Sequence, residues 1–215
     1  MMTCAYDEMY LQNAMDNLGT MMEYISKNTN MKKEEFFRLF IAAGIAEEFE
    51  KGNPKYVAGF SGIELAYEVF DKSGKKEFTI ECEKPIHRNA DYWCGWILAY
   101  YQWKTGKSFK DISRTLSFSE IEKMYETFHE APEMKFVENV NRMVQEKNMP
   151  TKLQEQRKKY GISQTELAQK SGVSLRSIQM YEQRQKKIDH AQAITLSNLA
   201  KTLGCKITDL FEYEK

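Results

Sequence analysis

The chain has 215 residues, 42% of them hydrophobic and 13% aromatic, so it is long enough for two ordinary domains with buried cores and is not a disordered tail. Its 31 basic and 31 acidic residues cancel, no run of 18 apolar residues occurs, and no basic-then-apolar segment opens the chain, which argues against a membrane span or a secretory leader. Cys4, Cys82, Cys94 and Cys205 are far apart and form no CxxC pair, so we expect no disulfide framework, no zinc site and a cytoplasmic location.

The first 149 residues have mainly helical patterns. Apolar residues from Leu11 to Ile25 recur every three or four positions, which predicts an amphipathic helix. Further helices are expected over residues 33–43, 62–70, 89–103, a segment begun by a capping box of Ser119 and Glu122, and 132–148. Residues 71–85, DKSGKKEFTIECEKP, are the one stretch that indicates a short strand or hairpin, because SGK favours a turn and FTI favours a strand.

Residues 92–103, YWCGWILAYYQW, are aromatic on two neighbouring faces of their predicted helix. A helix that is apolar on both faces is usually buried, so core packing is the favoured interpretation. The alternative is a patch for a partner protein or a flat ligand, since Trp and Tyr are common at interface hot spots. The candidate partner-binding residues are Tyr92, Trp93, Trp96 and Tyr100. Gly95 would let a neighbouring helix approach closely.

No pattern in the chain indicates catalysis. His87, His129 and His190 have no second His or Cys at metal-ligand spacing, and HExxH, GxSxG, P-loop and GxGxxG motifs are absent from the sequence. The string KTGKS at 104–108 lacks the first glycine of a P-loop and is interpreted as a helix end followed by a new N-cap. We therefore expect a protein that is not an enzyme, with no catalytic residue, metal or cofactor.

Met149 and Pro150 are the expected boundary between a helical domain, 1–149, and a second domain, 150–215. The second domain begins its main motif at Ser163, which forms a capping box with Glu166. Gly172 ends that short helix, and Ser174 caps the next one. Two short helices joined by a tight turn with glycine have the geometry of a helix-turn-helix.

Charge is divided unevenly between the two halves. Residues 152–187 contain 9 Lys or Arg and 3 Asp or Glu, a net charge of +6, whereas residues 1–149 contain 19 and 24, a net charge of −5. Basic residues release counterions when they meet nucleic acid, so binding by this basic segment should weaken steeply with salt. The acidic half is expected to bind a partner or an effector, to dimerise, or to fold back and compete for the basic segment.

Residues from about Thr151 to Phe211 resemble the helix-turn-helix domain of the lambda-repressor/Cro-like (XRE) family. The residues that carry the resemblance are Gln164, Leu167, Ala168, Gly172, Val173, Ser174, Ile178, Tyr181 and Glu182. The segments AITLSNLAKTLGC and ITDLF resemble the fourth and fifth helices of the family. The resemblance implies a mainly α protein with a five-helix domain that binds double-stranded DNA as a dimer.

The resemblance also implies which side chains meet DNA. Gln164 and Thr165, at the start of the second helix, would contact a phosphate or a base. The residues expected to face the major groove are Ser174, Leu175, Arg176, Ser177, Gln179 and Met180. Arg commonly reads guanine and Gln can read adenine there. After this helix the family often has a small pair such as Asn-Gly, and here Gln183 and Arg184 stand instead. The residues expected to reach phosphates from this loop are Arg184, Lys186 and Lys187.

Two functions remain open at this point. One is a transcription regulator, expected to repress, that binds an inverted-repeat operator as a dimer. The other is an antitoxin-like protein, whose N-terminal domain neutralises a partner protein and whose helix-turn-helix autoregulates the operon. A toxin-like gene beside this one would favour the second, and a lone gene facing a divergent operon would favour the first.

Overall fold

A computed structural model describes residues 4–74 and 88–212. Within these ranges all regular secondary structure is helical, as the sequence predicts. The α-helices are α1 Leu11–Asn28, α2 Lys33–Ala42, α3 Ile45–Glu50, α4 Gly62–Ser73, α5 Ala90–Thr105, α6 Phe109–Thr115, α7 Phe118–Phe128, α8 Glu133–Asn148, α9 Lys152–Tyr160, α10 Gln164–Ser171, α11 Leu175–Glu182 and α12 Ala193–Leu203. Short 3-10 helices occur at Glu8–Tyr10, Ile188–His190 and Ile207–Leu210, with a π-helical turn at Lys55–Gly59. None of the described helices is long and apolar enough to cross a membrane.

The chain divides into two compact units, Met1–Val144 and Gln145–Lys215. The division falls inside the last part of α8, shortly before the boundary expected at Met149 and Pro150. Each unit has its own hydrophobic core, and the two cores share no residue. The first unit contains almost all of the aromatic side chains, and the second contains the predicted helix-turn-helix.

Helix α1 lies at the centre of the first unit, where α4 and α5 pack directly against its backbone. A Cβ atom added to Gly95 of α5 would lie 2.3 Å from the carbonyl oxygen of Leu18, and one added to Gly62 of α4 would lie 2.4 Å from that of Asn17. Only glycine permits so close an approach. The expected role of Gly95 is therefore confirmed, and Gly62 has the same role.

Local signals place most helix ends correctly, but α7 begins two residues earlier than predicted. Its capping box is made by Ser117 and Glu120, not by Ser119 and Glu122. The Ser117 hydroxyl accepts the N–H of Glu120 at 3.2 Å, and the Glu120 carboxylate accepts the N–H of Ser117 at 2.9 Å. Glu122 instead pairs with Lys33 of α2, a contact between distant segments that no local pattern reveals.

The expected hairpin over residues 71–85 is only partly within the described residues. Asp71–Ser73 belong to the last turn of α4, and Gly74 ends that helix in the left-handed conformation at φ 69°. The start of this stretch is therefore helix and not strand. Residues 75–85 lie outside the described residues.

The second unit is built from α9–α12 and a C-terminal 3-10 helix. Leu153, Leu167, Ile178, Leu199 and Leu210 come from five different helices and are fully buried together. The five predicted helices are all present, and the fifth, at Ile207–Leu210, is a 3-10 helix. This core fixes the orientation of α10 and α11, the two helices of the predicted motif.

Candidate nucleic-acid interface

Helix α10 begins and ends at the residues that the sequence predicts. The Ser163 hydroxyl accepts the N–H of Glu166 at 3.1 Å, and the Glu166 carboxylate accepts the N–H of Ser163 at 2.7 Å. The hydrogen bond from the Ser163 N–H, and after it one with the Ser163 side chain, lower the pKa of the Glu166 carboxyl group. Gly172 ends the helix at φ 70°, so the chain turns sharply into α11.

One side of helix α11 is buried in the core of the second unit, and the other side is exposed. The Ser174 hydroxyl accepts the N–H of Ser177 at 3.1 Å and caps the helix. Ile178 is fully buried and Tyr181 almost so. The expected groove-facing residues lie elsewhere on the helix: Ser174, Leu175 and Arg176 are exposed, and Ser177, Gln179 and Met180 are partly exposed.

A buried charged network joins three helices behind this exposed face. Glu182, the last residue of α11, is 8% exposed and accepts two hydrogen bonds from Arg157 of α9, at 2.6 and 2.8 Å. Arg157 also donates to the Ile162 carbonyl at 2.8 Å. The hydrogen bonds with Glu182 raise the pKa of the Arg157 guanidinium, which keeps it charged. A planar guanidinium paired with a carboxylate through two hydrogen bonds has a defined geometry, so the pair fixes α11 against α9.

Sequence reasoning missed Arg157, because it lies 25 positions before Glu182 and no motif spacing links them. The available signal was Glu182 itself. It directly follows the buried Tyr181 at the end of a short helix, and a buried carboxylate requires a cation or several hydrogen bonds. That signal indicates that a partner exists but does not identify it.

Gln164 and Thr165 lie in the first turn of α10, as the motif requires. The Gln164 side-chain amide donates to a Glu182 oxygen at 2.8 Å, so the same carboxylate orients Gln164. One N–H of that amide remains for a further acceptor. Gln164 is partly exposed and Thr165 is exposed, so both are accessible at this end of the motif.

In the loop after α11, Arg184 makes contacts within the second unit. Arg184 adopts a left-handed backbone at φ 54°, and its guanidinium donates to the Met149 carbonyl at 2.6 Å and to Glu212 at 3.4 Å. Part of its set of donors is therefore engaged within the unit in the free protein. Lys186 is exposed, with its amine 5.8 Å from the centre of the Tyr181 ring, and Lys187 is exposed beside it.

The aromatic helix α5 is mainly a core element. Tyr92 and Trp93 are each 6% exposed. Trp93 packs edge-on against Tyr125 and Phe136, with ring centres 5.6 Å apart in both cases. Both side chains are buried, which disfavours Tyr92 and Trp93 as parts of a partner surface. The other two candidates, Trp96 and Tyr100, are partly exposed.

Cys4, Cys94 and Cys205 have free thiols. Burial raises the pKa of the Cys94 thiol to about 12, so this side chain stays neutral. In residues 4–74 and 88–212 no group of His, Cys, Asp and Glu side chains is placed to hold a metal ion.

Comparison with known proteins agrees with this geometry for the second unit. A helix-turn-helix family model matches residues 153–210. No curated protein and no solved structure matches the chain. The matched residues begin in α9 and end at the last 3-10 helix, so they cover the whole core of the second unit and none of the first. Residues 153–210 therefore form a helix-turn-helix DNA-binding domain of the XRE type.

Proposed function

We propose that the protein is a sequence-specific transcription regulator that binds an inverted-repeat operator as a dimer and represses by occupying a promoter. The observation that supports this most strongly is the exposed side of α11. Ser174, Leu175 and Arg176 project from a helix whose start is capped and whose end is fixed by Glu182. A rigid helix with exposed polar side chains at its N-terminal end is the element that enters the major groove in such domains.

The two kinds of contact have different tasks in this proposal. Arg176 and Gln179 carry the donors and acceptors that distinguish base pairs in the major groove. Lys186 and Lys187 follow the helix and supply charge for the phosphates, which orients the domain without reading sequence. In a dimer, two copies of α11 would enter successive major grooves about 34 Å apart.

The proposal is tested by measuring the affinity of the protein for two duplexes of equal length and composition, at several salt concentrations. The selected duplex carries a sequence that the protein enriches from a pool of randomised duplexes, and the scrambled duplex carries the same bases in another order. We expect the selected duplex to bind at least about a thousandfold more tightly at near-physiological salt. We expect both affinities to fall as salt rises, because each phosphate contact releases counterions. Equal affinity for the two duplexes would contradict sequence-specific binding.

In this proposal the first unit binds a partner or an effector, or dimerises. A second form of the proposal is an antitoxin-like protein, in which the first unit mainly neutralises a partner protein and the helix-turn-helix autoregulates the operon. What favours it is a separate unit with its own core, a net charge of −5 over residues 1–149, and the partly exposed Trp96 and Tyr100. If so, residues 1–149 alone would protect cells from a toxin-like neighbouring gene product, and Trp96→Ala would reduce that protection. If residues 1–149 give no protection, the antitoxin-like form is contradicted and only the transcription-regulator form remains.

A further inference from the structure

A carboxylate near the end of the chain lies against the cation that follows the recognition helix α11. One oxygen of Glu212 accepts a hydrogen bond from Arg184 at 3.4 Å, and the other accepts the main-chain N–H of Lys152 at 2.6 Å. The N–H of Glu212 donates to Asp189 at 3.0 Å. These three contacts hold the carboxylate beside Arg184 and fix its position.

The contact between Glu212 and Arg184 bears on DNA binding because Arg184 lies close to the end of the recognition helix. Arg184 comes two residues after the end of α11, in a left-handed conformation that Gly or Asn adopts more easily than Arg. It shares a cleft of about 200 Å³ with Lys186 and Lys187. Three cationic side chains therefore line this cleft after the recognition helix, together with the carboxylates of Glu212 and Asp189.

A carboxylate and a phosphate present the same kind of acceptor to a guanidinium. The side chains of Arg184 and Glu212 are 32% and 33% exposed, so a phosphate from solvent can reach the pair. Arg184 also donates to the Met149 carbonyl, but that acceptor is neutral, and a charged acceptor forms the stronger hydrogen bond.

We propose that Glu212 is an intramolecular competitor of DNA, which occupies Arg184 in the free protein and must be displaced before a backbone phosphate can bind there. This inference rests on the proposed function, since it assumes that the end of α11 meets the DNA backbone. Its consequence is that the free protein binds DNA less tightly than its cationic side chains allow.

The test compares full-length Glu212→Gln with wild type on one duplex over a range of salt concentrations. The substitution keeps the shape of the side chain and removes the charge. We expect Kd to fall about two- to fivefold at low salt, the range of an exposed ion pair. We also expect the plot of log affinity against log salt to steepen by about 0.9, which corresponds to one additional phosphate contact.

Two further variants make the result specific. Glu155→Gln removes the same charge from an exposed pair with Lys152, so it controls for net charge and should leave the salt slope unchanged. In an Arg184→Ala background, Glu212→Gln should have no effect, because the cation for which both anions compete is gone. Equal behaviour of Glu212→Gln and Glu155→Gln would overturn the inference, as would a gain that persists without Arg184.

Two outcomes separate this inference from its assumptions. A lower Tm of Glu212→Gln without tighter DNA binding would show that Glu212 only stabilises the fold, and would overturn the inference. If the wild type binds no duplex, the proposed function fails, and the same variants are then compared on heparin, a polyanion without bases. Tighter heparin binding by Glu212→Gln than by Glu155→Gln would support the competition, and equal binding would overturn it.

Discussion

Arg176 is the exposed side chain best suited to read a base, and Lys186 is best suited to hold a phosphate. Arg176 lies in the first turn of α11, away from the buried Ile178. Lys186 lies in the loop beyond the helix. A guanidinium can form two hydrogen bonds with a guanine edge, whereas an ammonium group contacts a phosphate as a point charge.

We expect Arg176→Ala to reduce binding to the selected sequence by about 1–3 kcal/mol and to relax preference at one base pair, because the bidentate contact is lost. Lys186→Ala is the matched control, which should weaken binding to all sequences alike and lower the salt slope by about one. Both are measured by titration with the selected duplex and single-base variants of it. An equal loss for Arg176→Ala on every duplex would remove that residue from base reading.

Glu182 has a structural role, because it pairs with Arg157 and orients Gln164. Its side chain is 1% exposed, so Glu182→Gln leaves the Arg157 charge without its counterion inside the unit. We expect the substitution to lower the free energy of unfolding by about 3 kcal/mol. Glu155→Gln breaks an exposed pair and should cost less than about 1 kcal/mol. The comparison uses urea unfolding followed by circular dichroism, and similar midpoints for the two variants would contradict a supporting role for the network.

At the scale of the elements, the first unit depends on how closely α4 and α5 approach α1. Gly95 and Gly62 remove the side chains that would otherwise separate these helices. Two buried aromatic side chains of α5, Trp93 and Tyr101, pack against Phe136 of α8. The packing of α1 against α5 is therefore the feature on which the core of the first unit most depends.

Gly95→Ala should destabilise the first unit by about 1–3 kcal/mol. Alanine is the better helix former by about 1 kcal/mol, but its methyl group would lie 2.3 Å from a backbone carbonyl that cannot move without shifting α1. Ser119→Ala, at an exposed position on α7, is the control and should change stability by less than about 0.5 kcal/mol. Both are measured by thermal unfolding, and an unchanged or higher Tm for Gly95→Ala would show that α5 does not pack so closely.

Local sequence signals predict most of the helices, although not α3, and they do not reveal long-range contacts. The capping box of Ser163 and the terminal Gly172 determine α10 because their partners lie within one turn. Ser117 and Ser119 both precede a Glu by three residues, so the pattern alone does not decide between them. The long-range contacts of the second unit, from Glu182 to Arg157 and from Glu212 to Arg184, join residues 25 or more positions apart and follow only from the fold.

At the scale of the whole molecule, the two units have separate cores and opposite charge. The basic residues are concentrated in 152–187 and the net negative charge in 1–149, so the neutral total conceals two different surfaces. Opposite charge on separate units suits a division of labour in which one unit meets DNA and the other meets a different ligand.

A fragment of residues 145–215 should unfold cooperatively and keep the sequence preference of the full chain, because its core is complete. Residues 1–149 should fold alone and bind no DNA. Circular dichroism melting and duplex titration of both fragments test this, with the intact chain as the control. A fragment 145–215 that folds but loses the preference would place part of the DNA reader, or the dimer contact, in the first unit.

The most direct test of sequence-specific DNA binding is selection by the purified full-length protein from a pool of randomised duplexes, at near-physiological salt with nonspecific competitor. Such a pool requires no knowledge of where the operator lies. We expect an inverted repeat to be enriched, with half-sites about one helical turn apart, and Arg176→Ala to lose preference at one position in each half-site. A pool that remains random after selection would contradict sequence-specific binding by this domain.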